Sequence, residues 1–248
     1  SGLINMIINY RIFLYILFGV LPSLVWLSYY LRKDSHPEPK LMILKVFFSG
    51  FLITLPVFFI QLGLSTLLAE LKLPTLIISI LYWFFVIALT EEFFKYLVVR
   101  KEVLSSSNLD EPLDIMLYMI IAALGFAALE NILYLFSPTD NLPFNQFLNN
   151  TFIISFIRFI GATFLHTLVS GTLGYFLIVE VYEIEKRGWF FFSGLFLASA
   201  LHGLYNFSII TLKGPLQIAV PVTILIGLAI FVLWAFNRVR KMKSVVEI

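Results

Sequence analysis

The chain has 248 residues, 60% of them hydrophobic and only 13% charged, with a formal net charge of +2. Soluble domains are about 45–50% apolar and about 25% charged, so this composition excludes a soluble globular protein and reads as a single integral membrane domain over 1–248. The small charge gives no footing for nucleic acid, and the absence of cysteine rules out disulfides and thiolate chemistry.

Apolar runs of about 20 residues mark helices long enough to cross a bilayer. Seven are found, near 9–31, 41–69, 74–99, 115–136, 151–182, 189–212 and 215–237. The expected fold is therefore an all-α polytopic transmembrane bundle of about seven spans. Ser1-Gly2 reads as the remnant of a cleaved tag, and the first run as a span rather than a cleavable leader. The second and fifth runs are long enough to tilt or to continue beyond the lipid. The connectors are short. Residues 32–40 are polar, and Pro37 and Pro39 stop helix continuation there. Residues 105–112 deliver the chain into the fourth span, 137–150 contain no lysine or arginine, and 183–188 form a tight charged turn.

The basic residues orient the bundle. With the N-terminus outside, the inner connectors hold Arg32, Lys33, Lys40, Lys45, Arg100, Lys101, Lys186, Arg187, Arg238, Arg240, Lys241 and Lys243, whereas the outer side holds only Arg11, Lys72 and Lys213. That bias predicts an N-out, C-in topology.

The third run carries Thr90-Glu91-Glu92-Phe93-Phe94-Lys95. An ionisable side chain in hydrocarbon costs about 2.5–3.5 kcal/mol on insertion scales, so three within five positions call for partners and a task. Glu91 and Lys95 share a helix face and are expected to pair. Glu92 points about 100° away and needs a partner on another helix. The fourth span places Glu130-Asn131 and Tyr134 after Gly125 and several alanines, small residues that allow close helix approach. The fifth carries Arg158 and His166, and the sixth His202 and Asn206 on one face. By rise along the helices, His166 and His202 sit near mid-depth, Glu91 leans inward and Glu130 leans outward, which makes Glu130 the weakest member of a common site.

Three chemistries fit this set. A glutamate can activate a water for peptide hydrolysis, with a histidine orienting it and His202 and Asn206 polarising the carbonyl; no cofactor is needed. A zinc ion can instead be held by Glu91, His166 and His202, with the other glutamate as base, although no short local metal motif is present. Or the buried charges can form the proton or ion pathway of a transporter or channel. The plainer alternative is a packing seam in a membrane scaffold without catalysis.

The ordered set resembles the PrsW family of intramembrane proteases, related to the CAAX prenyl endopeptidases and the bacterial Abi proteins. The likeness rests on Glu91-Glu92-x-x-Lys95, Glu111-Pro112-x-Asp114-x-x-x-Tyr118, the run Gly125-Phe126-Ala127-Ala128-Leu129-Glu130-Asn131-Ile132-Leu133-Tyr134, Arg158 with His166, Gly174-Tyr175 and His202-x-x-x-Asn206. The Pro37-Glu38-Pro39 loop is similar as well, so the core motifs cover about 34–207. The resemblance implies an endopeptidase of the bacterial cytoplasmic (inner) membrane. Its implied task is the site-1 cut of a single-pass anti-sigma factor in a stress response, and its partners are that substrate and the lipid bilayer. It implies Glu91 as base with Glu92 beside it, His166 positioning the water, and His202 and Asn206 stabilising the oxyanion. Lys95, Glu130, Asn131 and Arg158 would support them.

Overall fold

The computed structural model describes residues 2–33, 36–104, 106, 109, 111–139, 142–182 and 188–242. Residue 1, Lys243, parts of the 32–40 and 105–112 connectors and nearly all of the charged turn at 183–188 lie outside the described residues. Among the described residues the chain is helical with no strand. In order it forms α1 (Gly2–Leu31), α2 (Lys40–Ala69), α3 (Thr75–Leu81), a π segment π1 (Tyr82–Leu89), α4 (Thr90–Glu102), α5 (Pro112–Thr139), α6 (Phe144–Arg158), a second π segment π2 (Phe159–Thr163), α7 (Phe164–Tyr182), α8 (Trp189–Thr211) and α9 (Leu216–Val239).

Seven of the described helical stretches are long and apolar enough to cross a membrane: Tyr10–Leu31, Lys40–Ala69, Thr75–Glu102, Pro112–Phe136, Phe144–Val181, Trp189–Thr211 and Leu216–Val239. They match the sequence-predicted runs closely except the fifth, which starts at Phe144 instead of near 151. The asparagines of that first turn read as a loop. Packing overrides the local preference: Phe147 is fully buried, edge-on to Tyr15 at 5.3 Å, and Phe144 meets Tyr10 at 5.6 Å.

Helix α5 is the axis of the bundle. Residues 112–129 are all buried, and the helix packs against α1, α2 and α7. Glycines allow this. A Cβ on Gly125 would overlap the Phe47 carbonyl of α2, and one on Gly50 would overlap the Ala122 carbonyl of α5. The two backbones therefore touch, the arrangement small residues favour inside membranes. One end of the bundle is tied by Lys45–Glu102 at 2.7 Å and by the Tyr118 hydroxyl donating to Glu38 Oε2 at 2.6 Å.

The two π segments sit next to the polar constellation. A π turn carries an extra residue, shifts the phase of the following helix and frees a carbonyl. The Trp26 indole N–H donates to the Phe159 carbonyl at the start of π2 at 2.9 Å. The Thr90 hydroxyl is shared between the Val86 and Ile87 carbonyls of π1, at 2.5 and 2.9 Å. Gly203, beside His202, lets α8 lie directly on the backbone of Phe84 in π1, where a Cβ would come within 2.9 Å of the Phe84 Cα.

Candidate active site

Glu91, Glu92 and Lys95 project from the first turns of α4 into the bundle, with relative exposures of 3%, 0% and 0%. The Lys95 ammonium donates to Glu92 Oε1 at 2.7 Å and to His166 Nδ1 at 2.8 Å, and stands 3.6 Å from Glu91 Oε2. Its close carboxylate partner is thus Glu92, three residues away, and Glu91 is the looser one. Glu92 does find partners on other helices. Ser170 donates to its Oε2 at 2.7 Å, and His202 Nδ1 lies 3.0 Å from its Oε1. With three partners Glu92 is a fully bonded buried carboxylate, the condition under which a buried charge is tolerated.

The partners fix the tautomers. A carboxylate only accepts, so His202 donates from Nδ1 to Glu92, and its Nε2 faces Glu91 Oε2 at 3.9 Å. His166 Nε2 lies 2.9 Å from Glu130 Oε2, so it donates there while its Nδ1 accepts from Lys95. His166 is therefore committed at both nitrogens, whereas His202 keeps one free. The rings meet edge to face at 5.1 Å.

Glu130 is drawn into this cluster, closer than depth counting suggested. Arg158 Nη2 donates to the same Glu130 Oε2 at 2.7 Å and Arg158 Nε to Asn131 Oδ1 at 2.5 Å. The Asn131 amide donates in turn to Thr163 Oγ1 at 3.0 Å and to the Gly19 carbonyl at 3.2 Å. The Arg158 guanidinium lies 4.0 Å over the Tyr134 ring.

Glu91 is the exception among these groups. Its Oε1 accepts from the Gln61 amide of α2 at 3.1 Å, but its Oε2 is buried with no hydrogen-bond partner. Glu91 lines a cavity of about 570 Å³ whose wall also includes Gln61, Tyr82, Trp83, Glu130, Arg158, His166, His202 and Asn206. Of the sequence-predicted residues, Glu91, His166, His202 and Asn206 line the cavity, as do Glu130 and Arg158, while Glu92, Lys95 and Asn131 lie behind the wall.

One ligand atom from each of Glu91, His166 and His202 lies within 4.8 Å of the others, close enough to hold a metal ion. Number and type of donors fit a divalent ion, and each histidine rests its far nitrogen on a carboxylate, the outer-shell arrangement common at metal sites. Lys95 is the competing feature, because His166 Nδ1 would have to release its ammonium in order to ligate.

Sequence reading missed Gln61 and Ser170. Gln61 carried a signal, a lone amide in the apolar run 41–69. Ser170 carried none, because serines are ordinary in membrane helices.

A family model described as PrsW family intramembrane metalloprotease matches residues 38–235. Curated relatives named Protease PrsW include one from Oceanobacillus iheyensis, 32% identical over 189 residues, covering 76% of this chain and 80% of the relative. Another, from Geobacillus kaustophilus, is 31% identical over 191 residues, covering 76% of each. A third, from Bacillus subtilis, is 28% identical over 231 residues, covering 92% of this chain and 94% of the relative. No solved structure matches the chain.

Proposed function

This chain belongs to the PrsW family, bacterial multi-pass membrane proteases, and from that premise we propose that it cuts a single-pass membrane protein such as an anti-sigma factor, using Glu91 as the base for a water. The observation that carries this reading is the buried Oε2 without a hydrogen-bond partner on Glu91, a residue that lines the cavity. A buried carboxylate oxygen without a donor is costly, and a water supplies the donor that is missing. The His202 Nε2 lone pair, 3.9 Å from the same oxygen, accepts the second hydrogen of that water and turns its oxygen lone pair toward the cavity. Glu91 takes the proton as the water attacks the scissile carbonyl carbon, and delivers it to the departing amine. Asn206 is the donor for the developing oxyanion. On this reading His202 accepts from the water through its free nitrogen, where the resemblance implied an oxyanion stabiliser.

Glu92, Lys95, Glu130 and Arg158 act on the two imidazoles, fixing tautomer and orientation. His166 holds the Lys95 and Glu130 branches together. Zinc is the second reading, favoured by the convergence of Glu91, His166 and His202 and by the metalloprotease description of the family; a bound ion would supply Lewis acidity and an acidified water.

A cavity of this size takes a few residues of extended chain, so the substrate segment must unwind to reach Glu91. Its wall residues Gln61, Tyr82, Trp83 and Tyr134 come from the parts of their helices toward the 70–74 and 140–143 connectors. Under an N-out orientation that is the outer side, which suits a site-1 cut.

The test is cleavage of a panel of single-pass anti-sigma-like proteins by detergent-purified enzyme, with products read by mass spectrometry. Glu91→Gln should lose a defined cut by about 10²–10⁴-fold, the usual contribution of a general base. Wild-type cleavage by Glu91→Gln would end this reading. Under the glutamate mechanism activity survives 1,10-phenanthroline; its loss and recovery with added zinc would assign the site to the metal.

A further inference from the structure

Beyond Pro56, α2 turns much of its apolar surface away from the bundle. Phe58, Phe59, Ile60 and Leu62 are exposed along it, and Val57 and Leu68 are its buried apolar residues. Polar side chains in this half mostly serve their own helix: Ser65 donates to the Leu62 carbonyl at 2.8 Å and Thr66 to the Gly63 carbonyl at 2.7 Å. Gln61 instead reaches across to α4, placing its amide nitrogen 3.1 Å from Glu91 Oε1 and 3.4 Å from Thr90 Oγ1. Thr90 needs nothing from it, because its hydroxyl already bonds carbonyls of its own helix.

We propose that Gln61 is a positioning residue for Glu91: its amide holds Oε1 and so keeps Oε2 between His166 and His202, 4.0 and 3.9 Å away, rather than closed onto Lys95. This rests on the reading of Glu91 as base. Two groups compete for the Glu91 carboxylate. Gln61 holds one oxygen from the cavity side. Lys95 waits on the inner side, 3.6 Å from the other oxygen and already bonded to Glu92 at 2.7 Å. Without the amide, rotation of the carboxylate drops an oxygen into hydrogen-bond range of the ammonium. The result is a closed ion pair of the kind Glu92 makes, and the oxygen that should receive the proton of water is no longer presented to it.

The experiment uses a fluorescein-labelled single-span membrane protein that the wild type cuts, in detergent micelles, with kcat, KM and the thermal unfolding midpoint measured together. Gln61→Met, close in shape but without a donor, should lower kcat about 10- to 100-fold, the scale of one hydrogen bond to a charged group, with KM within about twofold and the midpoint unchanged. Thr90→Val should keep wild-type kcat. Gln61→Asn retains an amide on α2 for folding but falls one methylene short of Glu91, and should show the same kcat loss as Gln61→Met. A wild-type kcat in Gln61→Met or Gln61→Asn overturns the proposal. So does an equal loss in Thr90→Val, which would make the amide a tie between helices, and so does a change in KM alone, which would make it a substrate contact. Glu91→Gln run alongside separates the two claims: if it cuts normally the base assignment fails, and if it is dead while Gln61→Met is normal, only the positioning role fails.

Discussion

Lys95 is an ammonium with no exposed surface, held by Glu92, by His166 and by the Phe126 ring, whose centroid is 4.6 Å away. It joins carboxylate to imidazole, so it organises both branches of the site without lining the cavity. Breaking a buried ion pair from one side costs about 3–5 kcal/mol, because the remaining charge is left without compensation. Lys95→Met should fall at the lower end of that range, since Glu92 keeps Ser170 and His202. The double variant Lys95→Met with Glu92→Gln should recover part of the loss. Unfolding free energies of the three proteins in mixed micelles measure this, and a double variant less stable than Lys95→Met would show that the Ser170 and His202 bonds to the Glu92 carboxylate outweigh the loss of its ammonium partner. The chemistry of this residue cluster was partly legible in the sequence, because ionisable groups in apolar runs are expensive and stand out. Which carboxylate Lys95 prefers was not legible, since spacings of three and four residues are both neighbours on a helix and only the histidine on α7 decides between them.

At the level of helices, the site depends on two local departures from α geometry. On an ideal α-helix the eight residues from Arg158 to His166 advance about 800°, which leaves the two side chains about 80° apart. The wider turns of π2 rotate less per residue, and Arg158 and His166 both reach Glu130 Oε2, at 2.7 and 2.9 Å. No periodicity argument finds that convergence, because it assumes the phase that the π turn changes. The spans themselves were readable, since length and hydropathy suffice to find them. The start of the fifth was not, because Phe147 packs under Tyr15 in spite of the polar residues around it. Close helix approach was also visible, in the small residues around Gly125. Its consequence is a prediction: Gly125→Ala forces α2 and α5 apart at the Phe47 carbonyl and should cost about 1–3 kcal/mol, the usual penalty for overpacking. Gly63→Ala, on α2 away from the crossing, where a Cβ meets nothing within 4 Å, is the control. Equal stabilities for the two variants would contradict backbone contact at the crossing.

For the molecule as a whole, orientation decides which compartment supplies the substrate, and the lack of native cysteine makes it measurable. With the N-terminus outside, Lys72→Cys should react with a membrane-impermeant maleimide in intact cells, while Arg100→Cys and Lys241→Cys should react only after permeabilisation. The reverse pattern would turn the bundle over and place the cavity mouth on the cytoplasmic side. The fifth span, 38 residues long and therefore about 57 Å, exceeds the roughly 30 Å hydrocarbon thickness, so it tilts or projects in either orientation. The position of α5 bears on biogenesis. Its spanning segment is apolar enough to leave the translocon on its own, yet α7, which covers one of its flanks, is synthesised later. Glu91, Glu130, His166 and His202 stand on α4, α5, α7 and α8, so a nascent chain has no complete cluster until α8 has emerged and folded back against π1. If this cluster is the catalytic one proposed above, an unfinished copy of this protease lacks the groups to cut its neighbours in the membrane.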